Sequence, residues 1–203
     1  MPRGLTRRRP ETRARLLDAA LDTFAETGFQ AATIEQICER AGFTRGAFYS
    51  NFANKDELFY ALFERNAARV VERMESVAAQ VDGDLPWSRQ IAELTSSVGP
   101  DDRRWFLIST EFTLHAIRNP AAAVVLADHD AKLRAAIVPI LRDMYDRAGL
   151  APAVELDLIA RLLIALREGG MAQSYVEPAR FPAGQLERIF GAAVMRSVAE
   201  PRP

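Results

Sequence analysis

Between Thr33 and Lys55 the chain reads TIEQICERAGFTRGAFYSNFANK, and its polar residues suit recognition of a polyanion better than bond-breaking chemistry. Arg45 carries a guanidinium that can fork onto guanine, and Tyr49 and Ser50 carry hydroxyls suited to phosphate oxygens. Thr33, Thr44, Tyr49, Asn51 and Lys55 are the phosphate candidates, while Gly46 shares the outward face with Arg45. Local grammar places these residues. Thr33 followed by Gln36 makes a capping box that opens a helix from Ile34 to about Arg40. Gly42 supplies the positive φ of a tight interhelical turn, and Thr44 caps a second helix from Arg45 to about Asn51. Cys38, four residues before Gly42, fills the helix crossing, and Phe48 is the apolar plug. Such a pair is a helix-turn-helix, whose second helix enters a DNA major groove. On spacing alone, an ordinary helical hairpin inside a bundle remains the alternative.

Other chemistry is missing from the residue pattern. The chain has no phosphate loop, no GxSxG, no HExxH and a single cysteine. Asp128-His129-Asp130 does not converge on a metal, because adjacent residues on a helix point about 100° apart. Cys38 reads as packing, not a redox sensor. No enzyme, cofactor or metal is expected.

The chain has 203 residues, a net charge of −1 and 49% apolar residues. No segment reaches the roughly 18 uncharged apolar residues of a membrane span, and the basic N-terminus has no apolar signal stretch, so a cytoplasmic protein is expected. Charge is concentrated at that end: Arg3, Arg7, Arg8, Arg9, Arg13 and Arg15 stand against only Glu11. This basic arm either reaches DNA or is a solubilising tail.

The remaining elements are all helical by pattern. Leu17, Ala20, Leu21 and Phe24 mark a first helix from Glu11 to about Glu26, ended by Gly28. Asn54 and Glu57 cap a fourth helix running to about Val81, about 40 Å long at roughly 1.5 Å per residue, before an Asp82-Gly83-Asp84 linker. Helices over 86–98, from an Asp101 cap to Arg118, and from an Asn119 cap to Gly149 follow, the last with Pro139 expected to kink it. Helix eight, to about Tyr175, is apolar on most sides, and helix nine carries the stripe Leu186, Ile189, Phe190, Ala193 and Val194. The last two helices hold more apolar surface than one chain can cover, so a two-fold four-helix interface with a second copy is expected.

The run TIEQICERAGFTRGAFYSNFANKDELFYAL, with Phe24-Ala25-Glu26-Thr27-Gly28-Phe29 before it, resembles the DNA-binding signature of the TetR/AcrR family of transcriptional regulators. One departure is visible, Asn51 where many relatives carry His, which leaves that contact in doubt. The resemblance implies a phosphate role for Lys55, dimerisation through the last two helices and a small-molecule cavity between helices four and eight. Candidate lining residues are Trp87, Trp105, Phe112, His115, Met144, Tyr145, Arg167 and Met171, any of which is also a natural core residue.

The expected fold is all-α with about nine helices: a basic arm over 1–10, a three-helix DNA-binding domain over 11–55, and a ligand-binding and dimerisation domain over 56–203. The expected activity is that of a homodimeric regulator on a palindromic operator of double-stranded DNA, a repressor released by a small-molecule effector, with no membrane partner. The alternatives are an effector-independent activator or co-regulator, and a small-molecule binding protein whose helix-turn-helix is structural.

Overall fold

The computed structural model describes residues 5–80 and 85–201, with side chains from residue 9 onward. Nine α-helices are present among the described residues: α1 (Leu5–Thr27), α2 (Ile34–Ala41), α3 (Arg45–Tyr49), α4 (Lys55–Gln80), α5 (Trp87–Ser96), α6 (Asp102–Arg118), α7 (Pro120–Arg147), α8 (Leu156–Val176) and α9 (Ala192–Ser197). The expected linker at Asp82-Gly83-Asp84 lies outside the described residues. The chain is all-α apart from a short antiparallel pair, β1 (Leu150–Pro152) with β2 (Ala199–Pro201), in which Ala151 faces Glu200.

Two compact units form. One takes the chain up to Asn66 together with Arg104–Leu126, and the other takes Ala67–Arg103 together with Ala127 onward. The first has a core of Leu16, Ala20, Phe24, Ile37, Phe48, Leu58, Phe59 and Phe112, with rings of Phe59 and Phe112 stacked at 4.2 Å. Phe29 meets Phe24 edge-on at 5.3 Å and Phe112 at 5.6 Å, the offset geometry that ring quadrupoles favour. The second core gathers Met74, Ile91, Leu94, Leu141, Tyr145, Ile159, Ala160 and Met195.

Two local expectations change. Helix α1 starts at Leu5 instead of Glu11 and carries Pro10 inside it; a proline near a helix start forfeits one hydrogen bond without ending the helix. Asp101 stands directly before α6, at the expected cap position, and receives Arg69 at 3.0 Å, while the carboxylate of Asp102 in the first turn receives the Gly99 amide at 2.9 Å. The ninth helix opens with a π-helical turn, Glu187–Gly191, before α9. That wider turn puts Glu187, Gly191, Ala192 and Met195 inward and leaves Ile189 and Phe190 54% and 52% exposed.

Candidate nucleic-acid interface

The helix-turn-helix is built from three closed caps. Thr33 Oγ1 accepts the Gln36 amide at 3.2 Å and Gln36 Oε1 accepts the Thr33 amide at 2.8 Å, which satisfies two free donors at the start of α2. At the other end Gly42 has φ +71°; its amide reaches Glu39 O at 3.1 Å and the Phe43 amide reaches Cys38 O at 2.9 Å. This 6→1, 5→2 pattern is a Schellman turn. Thr44 Oγ1 then accepts the Ala47 amide at 3.3 Å and starts α3. Cys38 and Phe48 are 3% and 0% exposed at the crossing. Burial pushes the Cys38 thiol up, so it stays a small apolar group.

What α3 presents outward is Arg45, Gly46, Tyr49 and Ser50, all exposed. Arg45 Nη1 pairs with Glu35 of α2 at 2.8 Å, and its guanidinium lies 5.8 Å from the Tyr49 ring centroid. The Tyr49 hydroxyl and the Glu35 charge both push the Arg45 pKa up. A Cβ on Gly46 would meet only Thr44 Oγ1, at 3.7 Å, so the fold itself has no need of glycine there. Keeping glycine inside a helix costs about 1 kcal/mol relative to alanine, and the return is an unobstructed face. Ser50 donates to Ala47 O at 2.8 Å through a hydroxyl that can still accept a bond from outside.

Asn51 and Lys55 are turned inward. Asn51 is 9% exposed and its Nδ2 donates to Ala47 O at 2.8 Å. Lys55 Nζ donates to Phe29 O at 2.7 Å, Gln30 O at 3.2 Å and Ala32 O at 2.9 Å, which uses all three ammonium protons. Burial pushes its pKa down, against the opposing charges of Asp56 and Glu111. Arg9, Arg13 and Arg15 of the basic segment also turn to the bundle. Arg9 and Arg13 donate to the carbonyls of Ser50 and Asn51 at the end of α3, and Arg15 to Ala41 O at 2.7 Å at the end of α2. Cations at helix C-termini are favoured by the helix dipole.

The cavity candidates divide between the two units. Trp105, Phe112 and His115 belong to the first unit: Trp105 meets Phe63 edge-on at 4.6 Å, Phe112 is 1% exposed, and His115 Nδ1 lies 3.1 Å from Gln30 Nε2. In the second unit Trp87 packs on Tyr145, Met144 and Met171 are buried, and Tyr145 donates to Val198 O at 3.2 Å with its pKa pushed up to about 12 by burial. Arg167 is the exception among them. It donates to Asp102 at 2.6 Å and to Thr95 O at 3.1 Å, and it lies 3.6 Å from Glu187. Asp102 also receives Arg73 at 2.9 Å, so a buried carboxylate joins two guanidiniums and the Gly99 amide. Glu187, 0% exposed, has no hydrogen-bond partner for either oxygen among the described residues. An open cleft of about 440 Å³ in this unit is lined by Val138, Arg142, Ala153, Val154, Glu155 and Asp157, none of them a candidate. Sequence reasoning missed Asp102, Glu111 and Glu187, since their partners lie far along the chain.

Capped α2 and α3, locked by Phe48 and with a cationic outward face, define a helix-turn-helix DNA-binding protein. The chain belongs to the TetR family of bacterial regulatory proteins: residues 16–62 match that family under the description "Bacterial regulatory proteins, tetR family", and residues 85–199 match "BetI-type transcriptional repressor, C-terminal". It is a transcriptional regulator and not an enzyme. It is 24% identical over 166 residues to the transcriptional regulator UidR of Escherichia coli, covering 82% of this chain and 83% of UidR. The transcriptional repressor AcnR of Corynebacterium efficiens is 26% identical over 78% of this chain and 79% of its own. Among solved structures, Salmonella enterica GusR superposes with a TM-score of 0.72 at 24% identity, covering 92% of this chain and 96% of GusR. FadR of Bacillus subtilis, solved in complex with stearoyl-CoA, has a TM-score of 0.65 at 15% identity over 91% of this chain and 98% of its own, a likeness of fold.

Proposed function

We propose that this regulator is a homodimeric, cytoplasmic repressor that reads a palindromic operator with α3 and is released by a small molecule bound in its C-terminal unit. The observation that carries the reading is the outward face of α3, where Arg45 is held by an exposed ion pair with Glu35 and a long contact to the Tyr49 hydroxyl, beside an open Gly46. Arg45 reads a base; Thr33, Thr44, Tyr49 and Ser50 position the helix on phosphates. Asn51 and Lys55 would reach phosphate only by giving up their present carbonyl partners.

Dimerisation is supported by apolar side chains that the chain leaves uncovered. Val154, Leu158 and Leu162, spaced by four on the start and outer side of α8, are 40%, 53% and 41% exposed, and Ile189 and Phe190 add a second strip. Burying such strips against a second copy is worth about 25 cal/mol per Å² before the costs of association. A dimer sets two recognition helices about 34–36 Å apart, which a palindrome mirrors. The effector acts by preferring a conformation with the wrong separation, and its differential affinity sets how far the population shifts. FadR with stearoyl-CoA supports a fold that holds an apolar ligand.

The test is selection of duplex fragments from a random pool with the purified protein, followed by binding across salt concentrations. A recovered palindrome supports the reading. Salt-dependent binding with no shared sequence reduces it to backbone attraction, and no binding at low salt overturns it.

A further inference from the structure

The turn that hands the chain from α1 to α2 is gripped from two sides. From α6, Glu111 receives the Phe29 amide on Oε2 at 2.8 Å and the Gln30 amide on Oε1 at 3.2 Å. From the start of α4, Lys55 takes the carbonyls of Phe29, Gln30 and Ala32. An anion holds the donors of the segment and a cation holds its acceptors. His115, four residues on along α6, adds its contact to the Gln30 side chain. Gly28 is shaped to this grip: it has φ +83°, and a Cβ there would stand 2.8 Å from Glu111 Oε2. The residue after the held segment is Thr33, the N-cap of α2.

We propose that Glu111 is a positioning residue for DNA recognition, which fixes the turn between α1 and α2 and through it the aim of α3. It contacts no DNA in this role. Two parallel charge-assisted bonds fix both the place and the rotation of the peptide units they hold. Lys55 offers a compact charge on a flexible stem, which fixes place but not rotation. Base readout demands side chains held within roughly 0.5 Å and 10–20°, so a turn held by Lys55 alone leaves α3 attached and badly aimed. This inference rests on α3 being the DNA-reading helix.

The experiment uses the full chain with Glu111→Ala and Glu111→Gln. Hydrogen exchange at residues 28–32 is read on the free protein. Affinity is read on a selected operator and on a scrambled duplex of equal length, with the active fraction titrated. In Glu111→Ala, exchange at Phe29 and Gln30 should accelerate about tenfold or more, and operator affinity should fall about tenfold. Scrambled-duplex affinity should hold within about twofold, because every phosphate-binding charge remains. Glu111→Gln keeps one acceptor and should rescue both readouts part-way. An operator affinity unchanged per active molecule would overturn the proposal, as would equal losses on both duplexes or wild-type exchange in both variants. If Glu111→Ala does not fold, Glu111→Gln decides alone: protection lost at one amide with weakened operator binding supports the role, and protection and affinity both kept overturn it. A wild-type protein that selects no sequence would overturn DNA reading by α3, and this is distinguishable because the exchange arm needs no DNA.

Discussion

Replacing Arg45 with alanine separates binding from folding more cleanly than any other change in the structure. Its guanidinium is held by Glu35 at 2.8 Å, with both side chains more than half exposed, and by a long 3.5 Å contact to the Tyr49 hydroxyl. Exposed pairs of this kind contribute little to folding, so the unfolding midpoint should not move measurably. If the fork sits on guanine, operator affinity should fall roughly 5- to 150-fold, the discrimination of one bidentate base contact. Binding of a scrambled duplex should barely change. Fluorescence anisotropy on both duplexes across salt concentrations reads the difference. Because Arg45 spends its donors on a base, the slope of log affinity against log salt should change by much less than the roughly 0.9 of one phosphate contact. Equal losses on the two duplexes, with the slope reduced by that full amount, would refute base readout and make Arg45 a phosphate ligand. The complementary change is Glu35→Gln, which frees Arg45 and removes an anion facing DNA; affinity for both duplexes should rise roughly two- to fivefold.

Asp102→Asn keeps the size and shape of the side chain but leaves Arg73 and Arg167 facing a neutral group, and should cost about 2–4 kcal/mol in a urea titration; a loss below about 1 kcal/mol would show that water already satisfies those guanidiniums. Lys55→Met removes three carbonyl contacts and should cost about 2 kcal/mol of stability without changing the salt slope of DNA binding; a shallower slope would restore Lys55 as a phosphate ligand. Tyr145 has a folded pKa raised to about 12, so the folded state holds its proton where the unfolded chain has lost it, and stability should fall as pH rises from about 10 to 12. The slope from this group is about 1.4 kcal/mol per pH unit at most, and Tyr145→Phe should remove that share, leaving those of Cys38, Tyr60 and Tyr175, whose pKa values burial also raises, while losing the Val198 bond at neutral pH.

The all-α fold and the helix-turn-helix were legible because their determinants are local. Thr33 meets Gln36 three residues on, Gly42 ends α2 on its own dihedral angle, and Thr44 caps the next helix three residues before its partner amide. Asn54 and Glu57 at the head of α4 were half legible: Asn54 accepts the Glu57 amide, but Glu57 reaches back to Ala53 instead of Asn54. At helix nine the periodicity marked an apolar stripe and assigned it to an interface with a second copy. Ile189 and Phe190 share a face by pattern, yet the π-helical turn rotates them outward and gives the inner face to Glu187 and Met195. A hydrophobic stripe says which residues want burial; it does not say whether the burying surface is in the same chain.

Charge was the less legible property, and the reason is chemical. Six arginines in the first fifteen residues read as an arm that either reaches DNA or solubilises the chain. Backbone carbonyls at a helix end are also acceptors with a partial negative charge, and folding supplies them before any DNA arrives. Arg9, Arg13 and Arg15 take up Ser50, Asn51 and Ala41 in this way, and Lys55 takes up carbonyls of the turn after α1. Each guanidinium has five donors, so one carbonyl contact leaves others that can meet a phosphate, whereas the lysine has spent all three. The two cation types therefore part company here. The arginines can brace the recognition helix and touch DNA at once; Lys55 must choose, and in the free protein it braces.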